Sequence, residues 1–190
     1  MTTAKPLSRF AVPDALSLPE DLRTRVLGLQ EKMGFVPNVF LAMGHRPQQL
    51  RAFMMFHDDL MESNEGLTQA EREMIVVATS NANNCLYCVV SHGAVLRIRA
   101  KDATISEKVA VNYRDADLSE RQVAMLDYAM KLSQTPGQVT AEDFATLRAA
   151  GFDEATLWDI GAIVAFFAMS NRFATHTAMW PNPEFYGMAR

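Results

Sequence analysis

At 190 residues, 49% of them hydrophobic and 21% charged, the chain is long enough to bury a core of its own and too apolar to remain disordered. A formal net charge of −4, with no lysine–arginine cluster, argues against nucleic acid and anionic membrane as partners. No apolar stretch is long and uninterrupted enough to span a bilayer, and the opening MTTAKPLSRFAVPDALS lacks the apolar segment of a secretory signal, so a cytoplasmic location is expected.

Residues 1–16 read as an extended lead-in, broken by Pro6 and Pro13. Ser17 and Glu20 have capping-box spacing, which predicts a helix over 19–33 that Gly34 stops. A short helix over 37–43 ends at Gly44, and Pro47 opens a third that carries Leu50, Phe53, Met54 and Leu60. Thr68 and Glu71 form a second capping-box pair at the head of a fourth helix. Its run 74–78 is apolar all round, the pattern of a buried helix, and Asn81, Asn83 and Asn84 mark the turn that ends it. A fifth helix opens near Cys85, with Gly93 placed to permit close packing. A helix over 118–134 stops at Pro136-Gly137, and a shorter one starts at Thr140 and Asp143 and ends at Gly151. The last, over about 154–179, is apolar on nearly every side. Residues 182–190 read as an irregular tail. With no strand-like alternation and no linker, the expected fold is all-α: a single-domain helical bundle over 17–181.

The two cysteines are Cys85 and Cys88. A bond across so small a loop adds little chain-entropy stabilisation, so in a reducing compartment the pair reads as redox-active or metal-binding. Helical spacing puts Cys88 and His92 on one face, with Cys85 one turn nearer the helix start. There, unpaired backbone N–H groups and the positive dipole end favour a thiolate. If the fourth and fifth helices are antiparallel about a turn near 83–84, residue 73 lies level with about residue 94. Glu73 then becomes a partner for the His92 imidazole, orienting the ring and raising its basicity. Glu73, His92 and a cysteine would form a proton relay.

The same residues have other readings. Zinc could be held by Cys85, Cys88 and His92 with Glu73 or His176 as fourth ligand, although the second CxxC of structural zinc motifs is missing. His92 could be a core histidine and Glu73 a surface charge. Tyr87 reads as pocket wall rather than as an acid–base group. His57 is a candidate pocket residue, for which a solvated or core role is the plainer reading, and Ser91 reads as packing or a helix back-bond. Asn171 and Arg172 interrupt the apolar last helix, with His176 on the same face, and call for polar partners at an interface or a helix cap.

The array of Glu73, eleven residues, Cys85-x-x-Cys88, three residues and His92 resembles the alkyl hydroperoxidase D family, within the carboxymuconolactone-decarboxylase-like superfamily. The wider hydrophobic pattern resembles the peroxidase-related branch of that superfamily over most of the chain. The resemblance implies an all-helical homo-oligomer, a trimer or hexamer, and the apolar last helix independently calls for a subunit interface. It implies an antioxidant oxidoreductase with peroxiredoxin-type activity, reducing organic or hydrogen peroxide through a dithiol/disulfide cycle. In that cycle Cys88 is the peroxidatic thiol that becomes a sulfenic acid, Cys85 is the resolving thiol, and His92 and Glu73 are the relay. No metal, haem or flavin is expected, and an external dithiol or protein reductant would reset the pair. One departure stands out. The best-known members carry a second histidine just before the second cysteine, where this chain has Tyr87, a poor base near neutral pH. Two rivals are a redox sensor or disulfide-exchange protein without turnover, and a lactone decarboxylase-like enzyme, which would not need the cysteines.

Overall fold

The computed structural model describes residues 6–190, and their regular structure is entirely helical. Residues 1–5 of the expected lead-in lie outside the described residues. After a 3-10 turn at Ala15–Ser17 come α1 (Glu20–Met33), α2 (Asn38–Met43), α3 (Pro47–Glu62), α4 (Gln69–Ala82) and α5 (Leu86–Ala100). The chain continues through α6 (Ile105–Asn112), α7 (Glu120–Gln134), α8 (Ala141–Ala149), α9 (Glu154–Thr177) and α10 (Glu184–Gly187).

The axis of the bundle is α4, which packs against α5, α6, α7 and α9. Residues 71–80 are buried without interruption, so this helix has no solvent face over most of its length. Thr68 starts it as expected: its Oγ1 accepts from the Glu71 N–H at 3.2 Å, and Glu71 Oε2 accepts from the Thr68 N–H at 2.9 Å. Within the buried stretch, Arg72 is fully enclosed and donates to Leu60 O at 2.7 Å, Glu65 O at 2.8 Å and Asp159 Oδ2 at 2.9 Å. One guanidinium fork thereby ties α4 to the end of α3, the following loop and α9.

Two expectations are corrected, and one helix is found where none is predicted. Ser17 forms no capping box with Glu20; its hydroxyl donates to Asp14 O at 2.7 Å, and Pro19 stands at the N-cap of α1. A local side-chain-to-backbone bond has won over the helix start. The segment after α5 forms α6, which Gly93 admits: a Cβ at that glycine would lie 2.4 Å from Ser106 Oγ. The tail expected to be irregular is pinned and carries the single turn of α10. Arg97, buried in α5, donates to Phe185 O and Met188 O, both at 2.9 Å, and Phe185 sits edge-on to Phe35 at 5.1 Å. No helix among the described residues is long and apolar enough to cross a membrane.

Candidate active site

The α4–α5 hairpin turns at Asn84, which takes a left-handed conformation with φ 54°. Cys85 then becomes the N-cap of α5, and its Sγ accepts the Cys88 N–H at 3.4 Å, the place where a serine or aspartate oxygen usually serves. Both thiols are free, with only 2% of Cys85 and 1% of Cys88 exposed. They pack with Ala42, Tyr87, Ala174 and Met179 in a small cluster separate from the main core.

The polar side of this cluster comes from α9. Asn171 lies beside both thiols and Ser170 beside Cys88, and each favours the ionised sulfur. Asn171 is itself fixed from two directions: its Nδ2 donates to Ser80 Oγ at 2.9 Å, and its Oδ1 accepts from Asn83 Nδ2 at 2.9 Å. The polar break in the apolar helix therefore finds its partners inside the fold, on Ser80 and Asn83.

The two thiols divide one proton unequally. The Cys85 thiol is lowered to about 7, chiefly by a hydrogen bond from the Cys88 thiol, with the Cys88 N–H and the His92 charge adding to it against burial. Cys88 is pushed well up, because it is the donor in that bond and is enclosed. Below pH 7 both sulfurs carry protons; above it Cys85 is a thiolate and Cys88 keeps its proton. An ultraviolet thiolate titration is accordingly expected to rise by one thiolate through a midpoint of about 7 and to gain the second only at much higher pH. Cys85→Ser should remove the first step.

One turn further along α5, His92 Nδ1 lies 2.7 Å from Glu73 Oε2. A carboxylate can only accept, so Nδ1 carries a proton in this pair and the neutral ring keeps its lone pair on Nε2. Glu73 is 3% exposed, and its other oxygen lies 3.0 Å from Arg99 Nη1. Arg99 is anchored in turn on Met61 O and Glu62 Oε1, each at 2.9 Å. The hairpin register thus brings Glu73 and His92 together as the sequence predicts, and Arg99 braces the pair from behind.

Aromatic rings close the remaining sides. Phe167 meets His92 edge-on at 4.7 Å, and the His57 ring lies 6.1 Å from His92, stacked against Phe53. His57 is therefore part of the site's wall, with a quarter (26%) of its side chain exposed. Tyr87 is fixed by accepting the Val39 N–H at 3.1 Å, and burial pushes its hydroxyl up, which suits a wall residue and not an acid–base group. Ser91 makes the expected back-bond, donating to Tyr87 O at 2.8 Å.

The zinc reading finds no support in this geometry. Both Glu73 oxygens are engaged, and His176 lies against Phe10 and Phe173. Among the described residues no group of three or more His, Cys, Asp or Glu is arranged to hold a metal ion.

Four contributors escape sequence reasoning: Ser80, Arg99, Ser170 and Asn171. Asn171 alone carried a signal, as a polar residue in an apolar helix. The others became visible only once α4, α5 and α9 were packed.

Two small spaces lie at this cluster, one of them lined by a cysteine. Cys85 lines a shallow cavity of about 140 Å³ with Tyr87, Thr175 and Trp180. On the other side of Tyr87, a space of about 10 Å³ is bounded by Met43, Phe53, Ser170 and Phe173.

A family model described as the carboxymuconolactone decarboxylase family matches residues 47–131, which include all of α4 and α5. A solved structure from Ralstonia eutropha JMP134, described as an alkylhydroperoxidase AhpD core and an uncharacterized peroxidase-related protein, is 54% identical over 98% of both chains, with a TM-score of 0.95. Another uncharacterized peroxidase-related protein, from Silicibacter sp. TM1040, is 39% identical over 100% of both chains, with a TM-score of 0.93. The debrominase Bmp8 shares the fold, with a TM-score of 0.77 at 21% identity over 96% of this chain and 95% of its own. No curated protein matches the chain in sequence.

Proposed function

Since the chain belongs to the carboxymuconolactone decarboxylase family and its similar structures are alkylhydroperoxidase D-like and peroxidase-related, we propose that it is a thiol peroxidase that reduces organic or hydrogen peroxide through Cys88 and Cys85. The observation that carries this reading is a free thiol pair, with the Cys88 N–H bonded to Cys85 Sγ at 3.4 Å, one helical turn from a histidine held at 2.7 Å by a buried carboxylate. A nucleophile beside a positioned acid–base group is what peroxide cleavage requires.

The proposed cycle balances as follows. The Cys88 thiol passes its proton to the Cys85 thiolate while its sulfur attacks the distal peroxide oxygen. The O–O bond breaks, Cys88 becomes a sulfenic acid, and the departing alkoxide takes a proton from the His92 imidazolium. Neutral His92 then removes the proton from Cys85. The Cys85 sulfur displaces hydroxide from Cys88, and the returning proton makes water. One disulfide, one alcohol and one water result, and an external dithiol returns the two electrons.

No metal, haem or flavin has a role in this cycle. Glu73 and Arg99 keep the imidazole aligned, and Asn171 and Ser170 orient the sulfurs. Reduction by dithiols fits a cytoplasmic enzyme. A homo-oligomer, a trimer or hexamer, fits the apolar surface that α9 presents to solvent, where Trp158 is 78% and Met169 is 46% exposed.

Tyr87→Phe should leave turnover within about threefold, because the hydroxyl's part is to hold the Val39 N–H, and should cost about 1–2 kcal/mol of stability. A kinetic assay with a urea melt checks both. The test of the function itself is peroxide consumption by the purified, metal-free protein with a dithiol reductant. Sustained consumption well above the free dithiol rate is expected. A single equivalent followed by arrest would overturn the peroxidase reading in favour of a redox sensor.

A further inference from the structure

A bowl of about 250 Å³ opens between the start of α3 and the end of α9, and its lining includes Phe10, His45, Arg46, Gln49, Phe173 and His176. We propose that this bowl is a carboxylate-binding subsite that selects hydroperoxides bearing an acid group and aims their peroxide end at Cys88. The inference rests on the peroxidase reading for its substrate, and on the bowl alone for its anion.

The chemistry of the lining is one-sided. Three of its side chains can be cationic and none is acidic. Arg46 makes no ion pair and no side-chain hydrogen bond among the described residues, whereas Arg51, Arg72, Arg99, Arg121 and Arg148 each pair with a carboxylate. An unpaired guanidinium over a concave surface is an open fork for a planar anion. Arg46 also stands at the N-cap of the 16-residue α3 without capping it, and Gln49 of the first turn of that helix lines the same space.

The rest of the bowl is pre-set. Phe10 lies between the two imidazoles, 5.7 Å from His45 and 5.3 Å from His176. His45 Nδ1 donates to Ala11 O at 3.1 Å, so its Nε2 donates to a carboxylate when the ring is protonated. At the rim, Arg9 Nη1 donates to His176 O at 3.1 Å and adds a further positive charge.

The floor borders the cluster that holds the sulfurs. Met43 and Phe173 line both the bowl and the 10 Å³ space, and Tyr87, Ala174 and Met179 of that space pack in one cluster with Cys88. Ala42, another lining residue, packs in the same cluster as both cysteines. An acid group on Arg46 would leave the apolar body of the molecule over Met43 and Phe173, with its far end toward Cys88. That passage is narrow, so Met43 and Phe173 must rotate to admit a chain, as flexible and aromatic side chains at a cavity mouth can.

The test uses octanoate, which binds without reacting, and Arg46→Gln in the full-length protein. Calorimetry is expected to show octanoate binding weakened about tenfold by the substitution, as loss of a charge-assisted pair implies. With an aliphatic hydroperoxide acid and its methyl ester, the acid-over-ester preference in kcat/KM should fall by a similar factor, through KM. Equal octanoate affinity in the two proteins, or no acid preference to lose, overturns the subsite. If neither hydroperoxide is turned over, the peroxidase reading fails while the octanoate comparison still decides the bowl.

Discussion

Cys88→Ser is expected to bring peroxide consumption down to the rate of the free dithiol. A serine oxygen cannot attack a peroxide bond as a thiol sulfur does, and no other thiol stands in that position. The substitution should spare the fold, because serine is no larger and Ser170 and Asn171 already offer polar partners there. Its hydroxyl can still donate to the Cys85 sulfur, so the Cys85 titration near 7 should persist. Loss of turnover with that titration intact would separate chemistry from structure. A peroxide assay beside circular dichroism reads both.

Glu73→Gln should lower turnover by about 10²–10³-fold, the usual contribution of a positioned acid–base group. The amide can turn its NH2 toward His92 Nδ1, and the ring then carries its proton on Nε2, the wrong nitrogen for taking one from a thiol. Arg99 would lose its buried counter-charge and keep only Glu62 and a carbonyl. Removing one partner of such an enclosed pair costs about 3 kcal/mol. A loss of rate much larger than Glu73→Asp causes, together with a lowered urea midpoint, is the expected pattern.

The parts of this site readable in the sequence are those held by one hairpin. Glu73, Cys85, Cys88 and His92 lie within twenty residues, and an antiparallel pair of helices about a three-asparagine turn leaves little freedom in how they meet. Capping boxes at Thr68, Ser119 and Thr140 mark real helix starts because both halves of each box are local. Ser17 shows the limit of that signal: the same spacing fails when Asp14, three residues back, offers a competing acceptor. Asn171 bonds Asn83 and Ser80, 88 and 91 residues away, a relation no local pattern encodes. The segment of α6 and the last turn at α10 are equally hidden, since the first depends on a glycine in α5 and the second on Arg97 reaching for its carbonyls.

The most direct measurement is to expose Cys85→Ser to one equivalent of peroxide in the presence of a sulfenic-acid trap and to locate the adduct by mass spectrometry. With Cys85 gone its upward push on Cys88 is lifted and neutral His92 takes the Cys88 proton; with no second thiol to resolve it, the oxidised sulfur should persist, and the adduct is expected on Cys88. No adduct on Cys88, while Cys88→Ser accumulates one on Cys85 and retains the burst of peroxide consumption, would contradict Cys88 as the sulfur that peroxide meets first.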